Sequence, residues 1–189
     1  MPAPYLTKNL WPDFTLAETT YSFAHLAEQY LTVVDSAGQE RRIIATFTDH
    51  VFTRDRLTSD VIEHAFPGCS RGVGFVCSER HALSLQLPTL LPNICSSKVW
   101  NLTGADRYAQ VPVVTHEDEE ALYAIIFTLD KVKGLPFHLH LMVRSAYLCR
   151  EKAPDTFGEV KFKHLVRLRL ENKHPARVYS AARKKPIMP

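Results

Sequence analysis

The chain has 189 residues, of which 46% are hydrophobic and 23% charged, with 7 glycines and a net charge of +3. This composition is typical of a folded protein with one hydrophobic core, and it excludes disordered and fibrous chains. No stretch approaches the roughly 18 apolar residues of a membrane helix. The start lacks the pattern of a signal peptide, so we expect a cytoplasmic protein with no membrane partner.

The charge is unevenly distributed along the chain. From residue 161 onward there are nine Lys or Arg and one acid, a net charge of +8, whereas residues 1–160 carry −5. A basic end on an acidic body favours a polyanionic partner, although a solubilising tail gives the same pattern. We expect one domain over residues 1–174 and a basic, mobile tail over residues 175–189. Four cysteines without a CxxC pair predict reduced thiols.

The first predicted elements are a helix and a hairpin. Residues 15–31 place apolar side chains at broadly helical spacing, which predicts an N-terminal helix. Residues 30–47, "YLTVVDSAGQERRIIATF", then carry two β-branched runs on either side of a turn-like segment at residues 35–38. This pattern predicts a hairpin with a short loop.

The middle and the end of the chain predict a kinked helix followed by strands. One apolar helical face, interrupted at Pro88, contains Leu83, Leu87, Leu90, Leu91 and Ile94. Five later runs have strand composition: "KVWNLT", "RYAQVPVVT", "ALYAIIFTL", "PFHLHLMVRSAYL" and "EVKFKHLVRLRL". The expected fold is therefore α+β, with an antiparallel sheet of about five to seven strands packed against a central kinked helix and an N-terminal helix.

The strand over residues 137–148 turns polar where it ends. Alternation places one set of side chains on one face of the strand: Phe137, Leu139, Leu141, Val143, Ser145 and Tyr147. A core face that ends in Ser145 and Tyr147 is typical of a strand that lines a cleft, and a buried Ser–Tyr pair at a sheet edge gives the same pattern. His138 and His140 share the other face, but no second pair has ligand spacing, so we expect no metal.

The last predicted strand carries a row of cations on one face. Strict alternation places Lys161, Lys163, Arg167 and Arg169 on this face, opposite an apolar one. Beside Arg144 of the preceding strand, these side chains would form a basic stripe suited to phosphates. A solvated outer face of the sheet would show the same alternation.

Two further positions carry candidate chemistry. His50 follows a strand run in "TDHVFT", and a histidine can act as a general acid or base near neutral pH. Arg80 and Ser84 are four residues apart on the predicted helix and share a face. They could donate to a phosphate or carboxylate, or Arg80 could form a structural salt bridge at the helix edge.

Three short segments resemble an uncharacterised bacterial and prophage-associated family. They are "DHVFT" (residues 49–53), "ERHALSLQLP" (79–88) and "MVRSAYL" (142–148). The family pattern is H-x-[FY]-T, R-[YH]-x-x-S-x-x-L-P and S-A-Y, and the resemblance extends from about residue 46 to 170. The resemblance implies no activity and only marks matching positions: His50, Arg80, Ser84, Ser145 and Tyr147. His81 stands where the family is expected to have tyrosine.

These side chains predict a metal-independent endoribonuclease of the toxin type that acts on RNA phosphodiesters. Such chemistry needs a base, a proton donor and cations around a pentacoordinate phosphorus. His50 would be the base or acid, Arg80 with Arg144 would hold the phosphate, and Tyr147 would carry the second proton or stack on a base. Ser84 and Ser145 would orient the substrate, and the groups must lie within about 10 Å of each other.

Two other functions remain open. The same cations would also serve a non-catalytic nucleic-acid or protein binding module of a mobile element. Arg, Ser and Tyr near a strand end also occur in ADP-ribosyltransferases, although no glutamate occupies an obvious catalytic position. We expect no cofactor, RNA rather than DNA as the nucleic-acid partner, and an inhibitory protein as a further partner.

Overall fold

The computed structural model describes residues 11–70, 72–102, 107–114, 120–149, 156 and 158–173. In this part of the chain there are eleven strands and three α-helices. The strands are β1 (Phe14–Leu16), β2 (Thr19–Tyr21), β3 (Gln29–Val34), β4 (Glu40–Phe47), β5 (Thr53–Arg54), β6 (Phe75–Val76), β7 (Lys98–Asn101), β8 (Arg107–Val114), β9 (Glu120–Lys131), β10 (Leu139–Leu148) and β11 (Glu159–Lys161). The helices are α1 (Ser78–Ser84), α2 (Leu87–Ser96) and α3 (Phe162–Leu170).

Seven strands form one mixed sheet in the order β11-β7-β8-β9-β10-β4-β3. Every neighbouring pair is antiparallel except β10 and β4, which are parallel. The fold is α+β as predicted, but the prediction of a wholly antiparallel sheet is wrong. Residues 48–138 leave β4 and return to its side as a long crossover, and a crossover is the connection that parallel neighbours require.

The predicted N-terminal helix is wrong. Residues 15–31 form the β1–β2 hairpin, a 3₁₀ turn at Ala24–Leu26 and the start of β3. Thr15 and Thr20 face each other across the hairpin with their hydroxyl oxygens 3.0 Å apart. β-Branched residues favour this pleated arrangement over a helix. Ala17 makes the turn with a positive φ of 52°.

The hairpin at residues 30–47 and the broken helix are both confirmed. Asp35 closes the β3–β4 turn, because its Oδ1 accepts the N–H groups of Ala37 and Gln39 at 2.8 and 3.0 Å. Aspartate commonly stabilises turns by accepting backbone N–H groups of the residues that follow it. Helix α1 ends before α2 begins at Leu87, and Pro88 lies in the first turn of α2, where proline is tolerated because its missing N–H would have no helical partner.

The strand predicted over residues 159–170 is wrong for most of its length. Only Glu159–Lys161 form a strand, and α3 follows at once. Helix α3 buries Phe162, Leu165, Val166 and Leu168, a helical rather than an alternating spacing. The basic stripe predicted from strand alternation is therefore not formed. Lys163, Arg167 and Arg169 lie on a helix, where alternate residues do not share a face.

The sheet curls around α2 and α3 so that its two edges approach each other. At one edge, the turn after β3 is joined to α3 by a hydrogen bond from Ser36 N to Lys163 O of 3.2 Å. At the other edge, the Phe162 N–H donates to Ser97 O at 2.9 Å, which holds α3 to the end of α2. The main core fills this curl and draws residues from Phe23 to Val166.

No helix in the described ranges is long and apolar enough to cross a membrane. The basic tail predicted at residues 175–189 lies outside the described residues.

Candidate functional site

The His50 motif forms a short turn at one end of the sheet. A 3₁₀ turn at Asp49–Val51 follows β4 directly. Thr48 fixes this turn to β10, since its N–H donates to Val143 O at 3.0 Å and its hydroxyl donates to Arg144 O at 2.8 Å. Strand β4 pairs with β10 only as far as Val143. The turn thus occupies the edge of β10 that β4 leaves open.

A β-bulge in β10 changes which side chains face the core. The register with β9 shifts between Val143 and Ser145, so Arg144 is the extra residue. Beyond the bulge, Ala146 is fully buried in the main core, whereas Tyr147 packs in a second cluster with Leu102 and Ala124. The predicted alternation is therefore wrong beyond Val143, because one inserted residue reverses the two faces.

Arg80 of α1 joins all three sequence motifs. Its Nη1 donates to the backbone oxygens of His50 and Thr53 at 3.1 and 2.7 Å. Its guanidinium carbon lies 5.8 Å from the centre of the Tyr147 ring, within the range of a cation–π contact. Residues that are far apart in the chain thus meet at one end of the sheet. We call His50, Arg80 and Tyr147 the Arg80 site.

Two tyrosines beside Arg80 hold their protons firmly. Burial raises the pKa of Tyr147, and the nearby Cys149 adds to this shift while the charge of Arg80 opposes it. Burial also raises the pKa of Tyr123, again opposed by Arg80. Both phenols are therefore neutral at physiological pH and can donate a hydrogen bond.

A buried carboxylate underlies the turn. Asp49 is fully buried, and its Oδ1 accepts the Ser70 N–H at 3.2 Å and the Ser70 hydroxyl at 2.5 Å. Burial, with a further contribution from the negative charge of Asp49, raises the pKa of Cys69 to about 11. The Cys69 thiol is therefore protonated and unreactive. Sequence reasoning missed Asp49, although it directly precedes His50 in the motif.

Three buried polar atoms of this region have no hydrogen-bond partner among the described residues. They are Asp49 Oδ2, His50 Nε2 and the Tyr123 hydroxyl. Unsatisfied buried groups are rare in folded proteins, and a catalytic role or a bound water or ion can explain them. Trp11 Nε1 and Asn101 Oδ1 also lack such a partner among the described residues.

The Ser84 hydroxyl has two partners within the protein. Ser84 is fully buried, its hydroxyl donates to His81 O at 2.7 Å, and the His25 Nε2 lies 2.7 Å from the same hydroxyl. Because both partners are protein groups, the role of Ser84 in orienting a substrate stays a prediction. Arg144 and Ser145 remain beside the site and are half-buried.

The predicted cationic residues of the C-terminal segment lie elsewhere. Thr32, which lines a groove with Lys161 and Lys163, pairs with Arg42 near the start of β4. At about 3.3 Å per residue, the chain from Arg42 in β4 to Thr48 just after it spans about 20 Å. These lysines are thus at the opposite end of the sheet from the Arg80 site.

The two remaining arginines are engaged in ion pairs. Arg167 Nε binds the Glu171 carboxylate at 2.7 Å. Arg169 binds the Asp130 carboxylate and donates to Leu129 O at 2.6 Å. Neither side chain extends a basic stripe.

The histidines of β10 have protein partners. His138 Nδ1 accepts the Arg42 N–H at 2.9 Å, and His140 Nε2 lies 2.7 Å from the Thr46 hydroxyl. Burial lowers the pKa of His140, while Asp130 opposes the shift. Within the described ranges, no three His, Cys, Asp or Glu side chains are grouped as metal ligands would be.

The fold and the site define an α+β domain whose curled, mixed sheet carries a cluster of His, Arg and Tyr at one end. A model of the YjaZ family matches residues 13–170, and the chain belongs to this family. No curated protein and no solved structure matches the chain. The family match spans the three motifs at residues 49–53, 79–88 and 142–148, and the roles of their residues remain predictions.

Proposed function

We propose that the protein is a metal-independent endoribonuclease that cleaves RNA phosphodiesters at the Arg80 site. The observation that supports this proposal is the contact of Arg80 with both the His50 turn and the Tyr147 ring. A base, a proton donor and a cation within reach of one another are the minimum that such a reaction needs. Arg80 lies 3.1 Å from the His50 backbone oxygen and 5.8 Å from the centre of the Tyr147 ring, which supports their assignment to one site.

Each group has a role in the proposed reaction. His50 takes the proton of a ribose 2′-hydroxyl, and the 2′-oxygen attacks the adjacent phosphorus. Arg80 stabilises the charge of the phosphorane, and Tyr147 protonates the departing 5′-oxygen, which leaves a 2′,3′-cyclic phosphate. A raised pKa keeps the Tyr147 proton in place for this step.

The hydrogen bonds of Arg80 are compatible with this role. Both N–H groups of Nη1 are used by the carbonyls of His50 and Thr53, which fixes the plane of the guanidinium. Nε and Nη2 have no partner among the described residues, so three N–H groups remain for phosphate oxygens. A guanidinium held in this way binds a phosphate with little further loss of side-chain entropy.

The same contacts also favour a second function, a non-catalytic RNA-binding module. His50 Nε2 is shielded from solvent, so a substrate could reach it only if the turn opened. Arg80 would then position a phosphate, and no bond would be cleaved. Under either function an inhibitory protein partner remains a prediction.

Degradation of an end-labelled mixed RNA pool in EDTA tests the proposal. We expect the wild type to cleave, and Tyr147→Phe and His50→Ala to lose activity by about 10²-fold or more, which is typical of a lost proton-transfer group. Matched controls are Tyr30→Phe and His64→Ala, because both parent side chains are exposed and lie outside the site. These controls should cleave as the wild type does.

Three results would decide against the nuclease. Full activity in Tyr147→Phe would remove its proposed proton donor, and cleavage that EDTA abolishes would remove the metal-independent mechanism. No cleavage by any variant, with RNA retained in a filter-binding assay, would establish the binding module instead. Circular dichroism of each variant separates lost chemistry from lost folding.

A further inference from the structure

A groove opens where the two edges of the curled sheet approach each other. It has a volume of about 460 Å³ and is lined by residues from β3, α2, β7, β11 and α3. Three of the lining residues are lysines, Lys98, Lys161 and Lys163, and Thr32 and Ser97 add hydroxyl groups. A groove of this size is typical of small-molecule sites.

The lysines are placed at an electrostatic cost. Lys161 of β11 is the register partner of Lys98 of β7, so two like charges are cross-strand neighbours. Such pairs destabilise a sheet. Glu159 compensates Lys98 with an ion pair of 2.7 Å. Within the described ranges no carboxylate lies within ion-pair distance of Lys161 or Lys163, so the groove carries two uncompensated positive charges.

Lys163 adds to this cost. It lies in the first turn of α3, where no acidic residue is present. A cation at this end of a helix is repelled by the helix dipole. Two cations that line one groove, with no carboxylate partner among the described residues, favour an anionic ligand.

The anion must be small. A nucleic-acid strand would need a continuous row of free cations, but the arginines that follow along α3 are neutralised, Arg167 by Glu171 and Arg169 by Asp130. Among the described cations of β11 and α3, the free positive charge is therefore confined to Lys161 and Lys163. Two lysines that line one groove suit the oxygens of one phosphate or diphosphate group.

We propose that this groove is a binding site for a small phosphorylated ligand, held by Lys161 and Lys163. The site lies about 20 Å along the sheet from the Arg80 site, and it does not depend on the proposed nuclease activity. The volume of the groove leaves room for a phosphate ester of about nucleotide size.

Thermal unfolding at low ionic strength with inorganic pyrophosphate as the probe tests this site. Pyrophosphate should raise the melting temperature of the wild type, since a ligand that binds the folded state stabilises it. Lys161→Gln/Lys163→Gln should weaken the apparent affinity by about tenfold or more, as the loss of charge-assisted hydrogen bonds predicts. Lys133→Gln removes one charge from an exposed lysine outside the groove and should respond as the wild type does.

A second readout is independent of the ligand. Without pyrophosphate, the double variant should unfold at a temperature at least as high as that of the wild type, because it removes the repulsion. An equal pyrophosphate shift in all three proteins would show a general salt effect and overturn the proposal. A 20-nucleotide RNA that shifts the wild type through these lysines, while pyrophosphate does not, would also overturn it in favour of a polymer.

Discussion

Arg80 shows how one side chain can connect segments that the sequence keeps apart. Its guanidinium binds the backbone of the His50 turn and lies against the ring of Tyr147. Buried carbonyls that lose such a donor cost about 1–3 kcal/mol. Arg80 therefore has a structural role in the site besides its proposed role in phosphate binding. A variant at this position would lose both roles at once and could not separate them. For this reason the functional test relies on Tyr147 and His50.

His25 makes the stability of the protein depend on pH. Burial, followed by the neighbouring His81, lowers the pKa of His25 from 6.5 to about 4. In the unfolded chain His25 takes up a proton as the pH falls below about 6.5, while in the folded protein it stays neutral until about pH 4. The free energy of unfolding should therefore decrease as the pH falls through this window.

Urea unfolding of wild type and His25→Gln between pH 7 and 4.5 measures this dependence. Glutamine retains a donor for Ser84 and does not titrate, so the variant should show a flatter profile. Hydrogen bonds from their partners lower the pKa of both Asp60 and Glu171 to about 2, from 3.8 and 4.5 in the unfolded chain. These carboxylates therefore change the free energy of unfolding mainly below about pH 4.5, outside the measured window. Parallel profiles for the two proteins would contradict the assignment to His25.

At the scale of elements, irregular segments create the site. The bulge at Arg144 turns Tyr147 away from the main core, and the 3₁₀ turn after β4 brings His50 to the edge of β10. A small β-ladder follows this turn in the chain. In it β5 pairs with β6, and Phe66 forms a bridge with Gly74. Bulges and short turns are often found beside functional sites because they re-aim side chains.

A substitution at Gly74 would measure how tightly this ladder packs. A Cβ at this position would lie 2.6 Å from Cys69 Sγ, closer than van der Waals contact allows. Gly74→Ala should therefore destabilise the protein by about 1–3 kcal/mol, as overpacking usually does. Adding Cys69→Ala should restore part of the loss, because the sulfur that the new methyl group meets is removed.

Urea denaturation of the two single variants and the double variant gives the coupling energy. We expect about 0.5–3 kcal/mol of favourable coupling, which is the range for residues in contact. Simple addition of the two single effects would show that Cys69 rotates away at no cost. In that case the ladder would not be closely packed.

At the scale of the whole molecule, α3 closes the curl of the sheet. Phe162 at its start is fully buried and faces Phe127 of the central strand β9, with 6.1 Å between the ring centres. The Phe162 N–H also holds α3 to the end of α2. The two sheet edges and the groove between them depend on this attachment.

Phe162→Ala should lower the free energy of unfolding of the whole domain by about 3–5 kcal/mol, through lost burial and the cavity left behind. His164→Ala on the same helix replaces an exposed side chain. It should change the free energy of unfolding by less than about 0.5 kcal/mol. Guanidinium unfolding followed by circular dichroism gives both values. A small effect of Phe162→Ala would mean that α3 is peripheral to the cooperative core.

The sequence by itself determined the elements that local chemistry dictates. The β3–β4 hairpin follows from two β-branched runs around an aspartate turn, and the break between α1 and α2 lies close to a proline. Strands β7 to β10 follow from apolar runs of the expected length. These signals lie within a few residues of each other, so no distant contact is needed to interpret them.

Only the tertiary structure decided the rest. Residues 159–170 have an apolar pattern compatible with alternation, and their packing against α2 and β9 selects the helix. The bulge at Arg144 and the parallel pairing of β10 with β4 leave no local signal, because both depend on which strands become neighbours. The same reason applies to the Arg80 site and to the groove between the sheet edges. Both are formed by contacts between segments that only the folded chain brings together.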